Sequence, residues 1–283
     1  MEQELYKTRS AAACVKAAYR FIYEQRRAIF LKMWLPALLC AIAVAMTIVP
    51  NLKFTGLLLV VVAALWYYAR LFTLLNGQQE RKNGFKILKS YSVCLVLSLL
   101  TAILVAAAVF GLQSLLPPPT PEPHCGMYFV GYIAIAGIVG CVIAQLLAGL
   151  PLSFFFMKYM IEDISVRREL WPAFKTGLRH WGQLFLVGLI VWLVLLPICV
   201  IVVMPLIVLG SAQLLSGIGV VMGDEAGLPA SFLWMMVLST VLVYFIVLLL
   251  CIWPVISYYY AYGSIRQQEE DRRAMAATDT PDD

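Results

Sequence analysis

This chain has little charge. Of its 283 residues, 13% are Asp, Glu, Lys or Arg, against about 25% in an average soluble domain, and 62% are hydrophobic. Acidic residues are missing from the long apolar runs, and the two histidines are His124 and His180. Membrane enzymes and ion-coupled transporters place ionisable groups where substrates or protons pass. Their scarcity argues against both classes, and more strongly against an enzyme. No HExxH, GxSxG, phosphate-loop or dinucleotide pattern occurs. The seven cysteines show no metal or redox spacing. Cys14, Cys40, Cys94, Cys141, Cys199 and Cys251 lie in or beside apolar segments, where Cys acts as a small hydrophobe. Cys125 stands apart in a loop, so no disulfide framework is implied. His124 precedes it directly, but two ligands fall short of a zinc site. No cofactor is expected. Nor is a cleavable leader: residues 1–32 are rich in Lys and Arg and read as helix, and the first apolar run opens near Met33.

What the chain has in quantity is long apolar runs, as a polytopic helical membrane protein requires. The alternation of an outer-membrane barrel is absent. The expected fold is all-α: a membrane helical bundle of six transmembrane helices, arranged as three hairpins, with amphipathic helices on the cytosolic face. The spans fall at roughly 33–49, 54–75, 93–116, 128–150, 183–205 and 231–255. Residues 1–32 then form a cytosolic or interfacial helix, 33–262 one membrane domain, and 263–283 a mobile cytosolic tail. The segment 117–127, with prolines at 117, 118, 119, 121 and 123, reads as a stiff outer loop. Residues 206–223 lack charge but hold Ser211, Gln213, Ser216 and four glycines. They are expected to form an apolar outer loop or a re-entrant piece. With this layout every Lys and Arg except Lys53 faces one side. The positive-inside rule then puts both termini in the cytosol of a bacterial inner membrane. The net charge of +5 is accordingly assigned to anionic lipid headgroups, not to nucleic acid.

Two polar positions fall within the expected spans. Arg70 lies near a helix end, where it can snorkel to the headgroups or serve as a buried functional cation. Gln145 lies beside the small-residue stripe Ala136, Gly140, Ala144 and Ala148, where it can bond a neighbouring helix or touch a substrate. The segments leading into the second and third hairpins look alike. Phe85-Lys86 is followed by Lys89 and Tyr91, and Phe174-Lys175 by Arg179 and Trp181. The likeness reads either as an internal repeat or as the common need of interfaces for aromatics and bases.

The most informative stretch is Met160–Leu184. On a helix starting near Arg168, Trp171, Phe174, Leu178 and Trp181 share one face, and Arg168, Lys175 and Arg179 lie mostly on another. A short basic helix with an aromatic face suits the boundary between headgroups and acyl chains. Trp171, Phe174, Lys175, Arg179 and Trp181 are therefore the candidate membrane-interface residues. Around them, Glu162-Asp163 forms an acidic turn and His180-Trp181-Gly182 leads into the next span. This pattern resembles the YciC-like integral membrane proteins and the membrane domain attached to some glycerophosphodiester phosphodiesterases, although Gly177 stands where such helices often carry Ser. The resemblance covers about 25 residues and, loosely, the six-span layout. It implies membrane residence and an envelope role without established chemistry. The function expected is non-catalytic: interaction with membrane lipids, membrane organisation, or scaffolding for a protein partner or a second copy of the chain. Transport of a small solute or lipid is the alternative, and a membrane-embedded enzyme ranks below it.

Overall fold

In a computed structural model the described residues are 5–115, 139–140, 142, 145, 147–162, 164–222, 228–229 and 231–278. Among them the regular structure is all helical. Helix α1 is Ala11–Glu24 and α2 is Arg26–Met46. A single 3-10 turn, Pro50–Leu52, leads into α3, Lys53–Asn76. Then come α4, Glu80–Leu115, the shorter apolar α5, Leu147–Ile161, and α6, Val166–Arg179. The chain continues with α7, Trp181–Val221, α8, Phe232–Leu250, and α9, Ile252–Thr278.

Five helical stretches among the described residues are long and apolar enough to cross a membrane: Arg26–Met46, Pro50–Asn76, Glu80–Leu104, Trp181–Gly219 and Phe232–Ala276. Each overlaps one expected span. The expected fourth span, 128–150, lies largely outside the described residues, as does the proline-rich loop with His124 and Cys125. Large apolar side chains such as Leu57, Val62, Leu193, Ile201 and Leu238 point outward and are more than half exposed. Surfaces of this kind are matched to lipid and not to water. The chain is a multi-pass membrane protein in this coarse sense.

The chain divides into two compact units, one of residues 1–87 with 182–283 and the other of 88–181. In the first, α2 packs against α3 and α8, and α9 packs against α1. The face that α2 buries is made of small residues, Ala37, Cys40, Ala41 and Ala45 among them, and these let backbones come close where apolar attraction alone is weak. α3 comes close to the end of α2 at Gly56, whose missing Cβ would sit 2.8 Å from the Thr47 nitrogen. Tyr67, fully buried, donates its hydroxyl to the Leu248 carbonyl at 2.6 Å and so ties α3 to α8. In the second unit, α5 buries Phe154, Phe155, Met157 and Met160, and Phe155 stacks on Tyr159.

Several segments depart from expectation. Residues 206–221 are helical and continuous with α7, not a loop. Pro197 and Pro205 lie inside this helix; each removes one backbone donor, a loss that membrane helices tolerate. At 41 residues, α7 rises about 60 Å, twice a hydrocarbon core of about 30 Å. The expected mobile tail is helical as far as Thr278. Its charges pair along the helix, Arg266 with Glu270 at 3.0 Å and Arg272 with Glu269 at 3.7 Å. The expected helix over 1–32 is two helices broken at Gln25, and the second runs straight into the first span. The basic connector 76–92 is helical from Glu80, and α5 continues through Pro151 without interruption.

Candidate functional site

Helix α6 carries the candidate interface. Its buried residues are Val166, Ala173 and Gly177, spaced by seven and four, which is one face of a helix. That face lies on α5. Gly177 comes so close to Pro151 that a Cβ there would stand 2.9 Å from the Pro151 Cα and carbonyl oxygen. An ion pair fixes the same two helices, with Lys158 Nζ donating to Glu169 Oε2 at 2.8 Å. That hydrogen bond, together with the charge of Lys158, holds the Glu169 carboxyl below its ordinary pKa. With one face spent on packing, the other points away from the protein. Trp171 is 73% and Leu178 55% exposed. The indole of Trp171 stacks on Phe174 with centroids 6.0 Å apart. Lys175 and Arg179 are exposed beside them. Aromatic and basic stripes are thus neighbours on one outward surface, not opposite faces. Trp181 begins α7 and is half-buried.

The other candidate residues lie elsewhere. Arg70 is half-buried in α3, with Nε 3.6 Å from the Glu80 carboxylate and its guanidinium 5.6 Å from the Trp66 ring centre. Gln145 is helical and exposed. Beside Arg70 the turn from α3 to α4 holds a polar knot that sequence reasoning did not single out. Gly77 closes α3 at φ +69 and donates to the Thr73 carbonyl. Asn76 and Asn83 exchange amide hydrogen bonds of 3.1 and 3.2 Å, and Asn83 also donates to Thr73 Oγ1 at 3.0 Å. Lys86 donates to Gln78 at 3.1 Å. Asn83 is fully buried and Lys86 nearly so. The only signal was the Asn-Gly opening of the connector, which marks a turn but not its bonds.

Among the described residues no three His, Cys, Asp or Glu side chains come together. The buried span hydroxyls of Thr240 and Ser257 donate to carbonyls one turn back in their own helices. No protein-family model, curated protein or solved structure matches this chain. Its own geometry therefore carries the functional reading.

Proposed function

We propose that the protein is a non-catalytic resident of the bacterial inner membrane, with both termini cytosolic, that engages anionic lipid and organises the membrane or a partner complex there. The supporting observation is the outward surface of α6: an exposed Trp171–Leu178 stripe flanked by Lys175 and Arg179, on a helix anchored through its opposite face. An aromatic ring at headgroup depth and cations at the anionic leaflet are both favourable, each cation contributing about 1 kcal/mol. The likeness of residues 160–184 to YciC-like proteins belongs to this proposal.

The test is partition of the purified protein between detergent micelles and nanodiscs with and without phosphatidylglycerol. Converting Lys175 and Arg179 to Glu is expected to abolish the preference for the anionic discs. An undiminished preference refutes the reading. Transport is the second reading, favoured by Pro197 and Pro205 inside one long apolar helix, since each leaves a backbone carbonyl without its helical donor and open to a solute. Solute flux into loaded vesicles above that of empty ones, altered by substitution of Arg70 or Gln145, would replace the first reading with this one.

A further inference from the structure

Helix α1 spends its apolar face on protein. Cys14, Val15 and Ala18 are buried where α1 packs on α9, and Phe21 meets the Tyr260 ring edge-on. A different stripe of α1 turns outward and runs on into α2. The break at Gln25 keeps the helical register, because Gln25 donates to the Phe21 carbonyl at 3.0 Å and accepts from the Ile29 nitrogen at 2.9 Å. At about 100° per residue, Tyr19, Tyr23, Arg26, Arg27, Phe30 and Trp34 then fall within about a third of the circumference. All six are exposed, Tyr19 and Tyr23 at 60% each and Phe30 at 52%.

The stripe is ordered. Tyr19 and Tyr23 stack with centroids 6.4 Å apart, and Tyr19 meets Trp253 of α9 edge-on. The Arg26 guanidinium lies 4.9 Å from the centre of the Tyr23 ring. The neighbouring carboxylate, Glu24, is engaged by Arg20 at 2.7 Å. Among the described residues no carboxylate pairs with Arg26 or Arg27.

Position along the chain decides what covers this surface. No charged residue occurs between Lys32 and Lys53, so the apolar span opens at Met33. Arg27 precedes Met33 by about 9 Å along the axis, and from there an arginine reaches the headgroup layer. Phe30 and Trp34 straddle the boundary itself. Large aromatics gathered on one outward surface are poorly matched to water. A phospholipid matches both halves of the stripe. Its phosphate accepts paired bonds from a guanidinium, its acyl chain covers apolar rings, and tyrosines suit headgroup depth.

We propose that the α1–α2 elbow docks one anionic phospholipid, with Arg26 and Arg27 holding its headgroup and Phe30 and Trp34 lying along its acyl chain. Tyr23 holds Arg26 in place beforehand, which lowers the ordering cost of binding. The contact is local to this elbow, uses no residue of α6, and holds or fails independently of the α6 surface.

The test places a photoreactive benzoylphenylalanine at Phe30 of the full chain, in nanodiscs of phosphatidylcholine and phosphatidylglycerol mixed in equal parts. Lipid adducts are counted by mass spectrometry. Phosphatidylglycerol adducts are expected to outnumber phosphatidylcholine adducts about fivefold or more. The same probe at Leu238, an exposed apolar position of α8, reads the bulk lipid and is expected to follow the mixing ratio. Arg26→Gln with Arg27→Gln is expected to return the Phe30 adducts to that ratio, whereas Lys175→Glu with Arg179→Glu leaves the enrichment unchanged. The comparison of Phe30 with Leu238 needs no charge variant, so it remains decisive if Arg26→Gln with Arg27→Gln folds poorly. Adducts at Phe30 that follow the mixing ratio, or an equal enrichment at Leu238, overturn the proposal. So does enrichment that survives loss of both arginines in folded protein, or crosslinking to a second copy of the chain in place of lipid. Loss of anionic-disc partition in the α6 variant with the Phe30 enrichment retained bears on the proposed function alone.

Discussion

At the residue scale, Gly177 matters more than its small size suggests. The atoms that its Cβ would meet belong to the backbone of Pro151, and backbone in a helix cannot step aside as a flexible side chain can. Gly177→Ala is therefore expected to destabilise the α5–α6 pairing by about 1–3 kcal/mol, read as faster proteolysis between residues 158 and 168. Gly182→Ala, where a Cβ meets nothing within 4 Å, is the matched control and should not accelerate cleavage. The neighbouring pair adds a pH dependence. Glu169 is held below its ordinary pKa, chiefly by the hydrogen bond from Lys158. A lowered carboxylate contributes stability above its unfolded pKa of about 4.3 and loses it as pH falls through the folded value. The pair is partly exposed, so its contribution is expected to stay under about 1 kcal/mol. Acid titration of the same proteolysis should show wild type weakening below about pH 4.3, while Glu169→Gln starts weaker and stays flat. The Trp171, Lys175 and Arg179 pattern was legible from spacing alone, because a helix repeats every few residues. The Lys158–Glu169 pair was not, because its partners are separated by a turn whose course no periodicity encodes.

The elements show the same division. Runs of apolar residues announced where five helices long and apolar enough to cross a membrane lie among the described residues, since length and hydropathy set that choice. What they did not announce was where helices stop. Residues 206–221 looked like a loop for their glycines and serines, residues that break helices in water because water competes for the backbone. Next to an apolar run that competition is absent, and Ser211 donates to the Val208 carbonyl within the helix. The tail shows a converse error. Its composition is that of a disordered segment, yet Arg266–Glu270 and Gln267–Asp271 sit four apart and pair, each adding a few tenths of a kcal/mol to a helix that α9 has already nucleated. The turn between α3 and α4 depends on contacts that only the folded chain makes. Asn83→Ala removes the buried amide that bonds both Asn76 and Thr73, leaving these two half-buried side chains to lose three hydrogen bonds. A cost of about 1–3 kcal/mol is expected. Hydrogen exchange should locate it, with protection lost across residues 73–87 and retained in α8.

For the whole molecule, charge and hydropathy make one joint statement. Within the first unit Arg26, Arg27 and Lys32 lie toward one end of α2 and Arg70 toward the matching end of α3, while Lys53 stands at the turn between them. Arg70 belongs with the majority: α3 carries it near its far end, where it meets Glu80 of the next helix and the ring of Trp66. An arginine placed this way satisfies its charge within the protein while its stem stays among apolar groups. Expelling many cations across the bilayer to the opposite side is far costlier than moving one lysine, so the proposed orientation puts the positive ends in the cytosol. Under the proposed function the outward surface of α6 faces that same leaflet. In a variant with its native cysteines replaced, a thiol reagent that cannot cross membranes should label Asn51→Cys in intact cells. It should leave Gln79→Cys unlabelled until the membrane is opened. Labelling of Gln79→Cys from outside an intact cell would invert the proposed topology, and with it the leaflet that Lys175 and Arg179 are proposed to face.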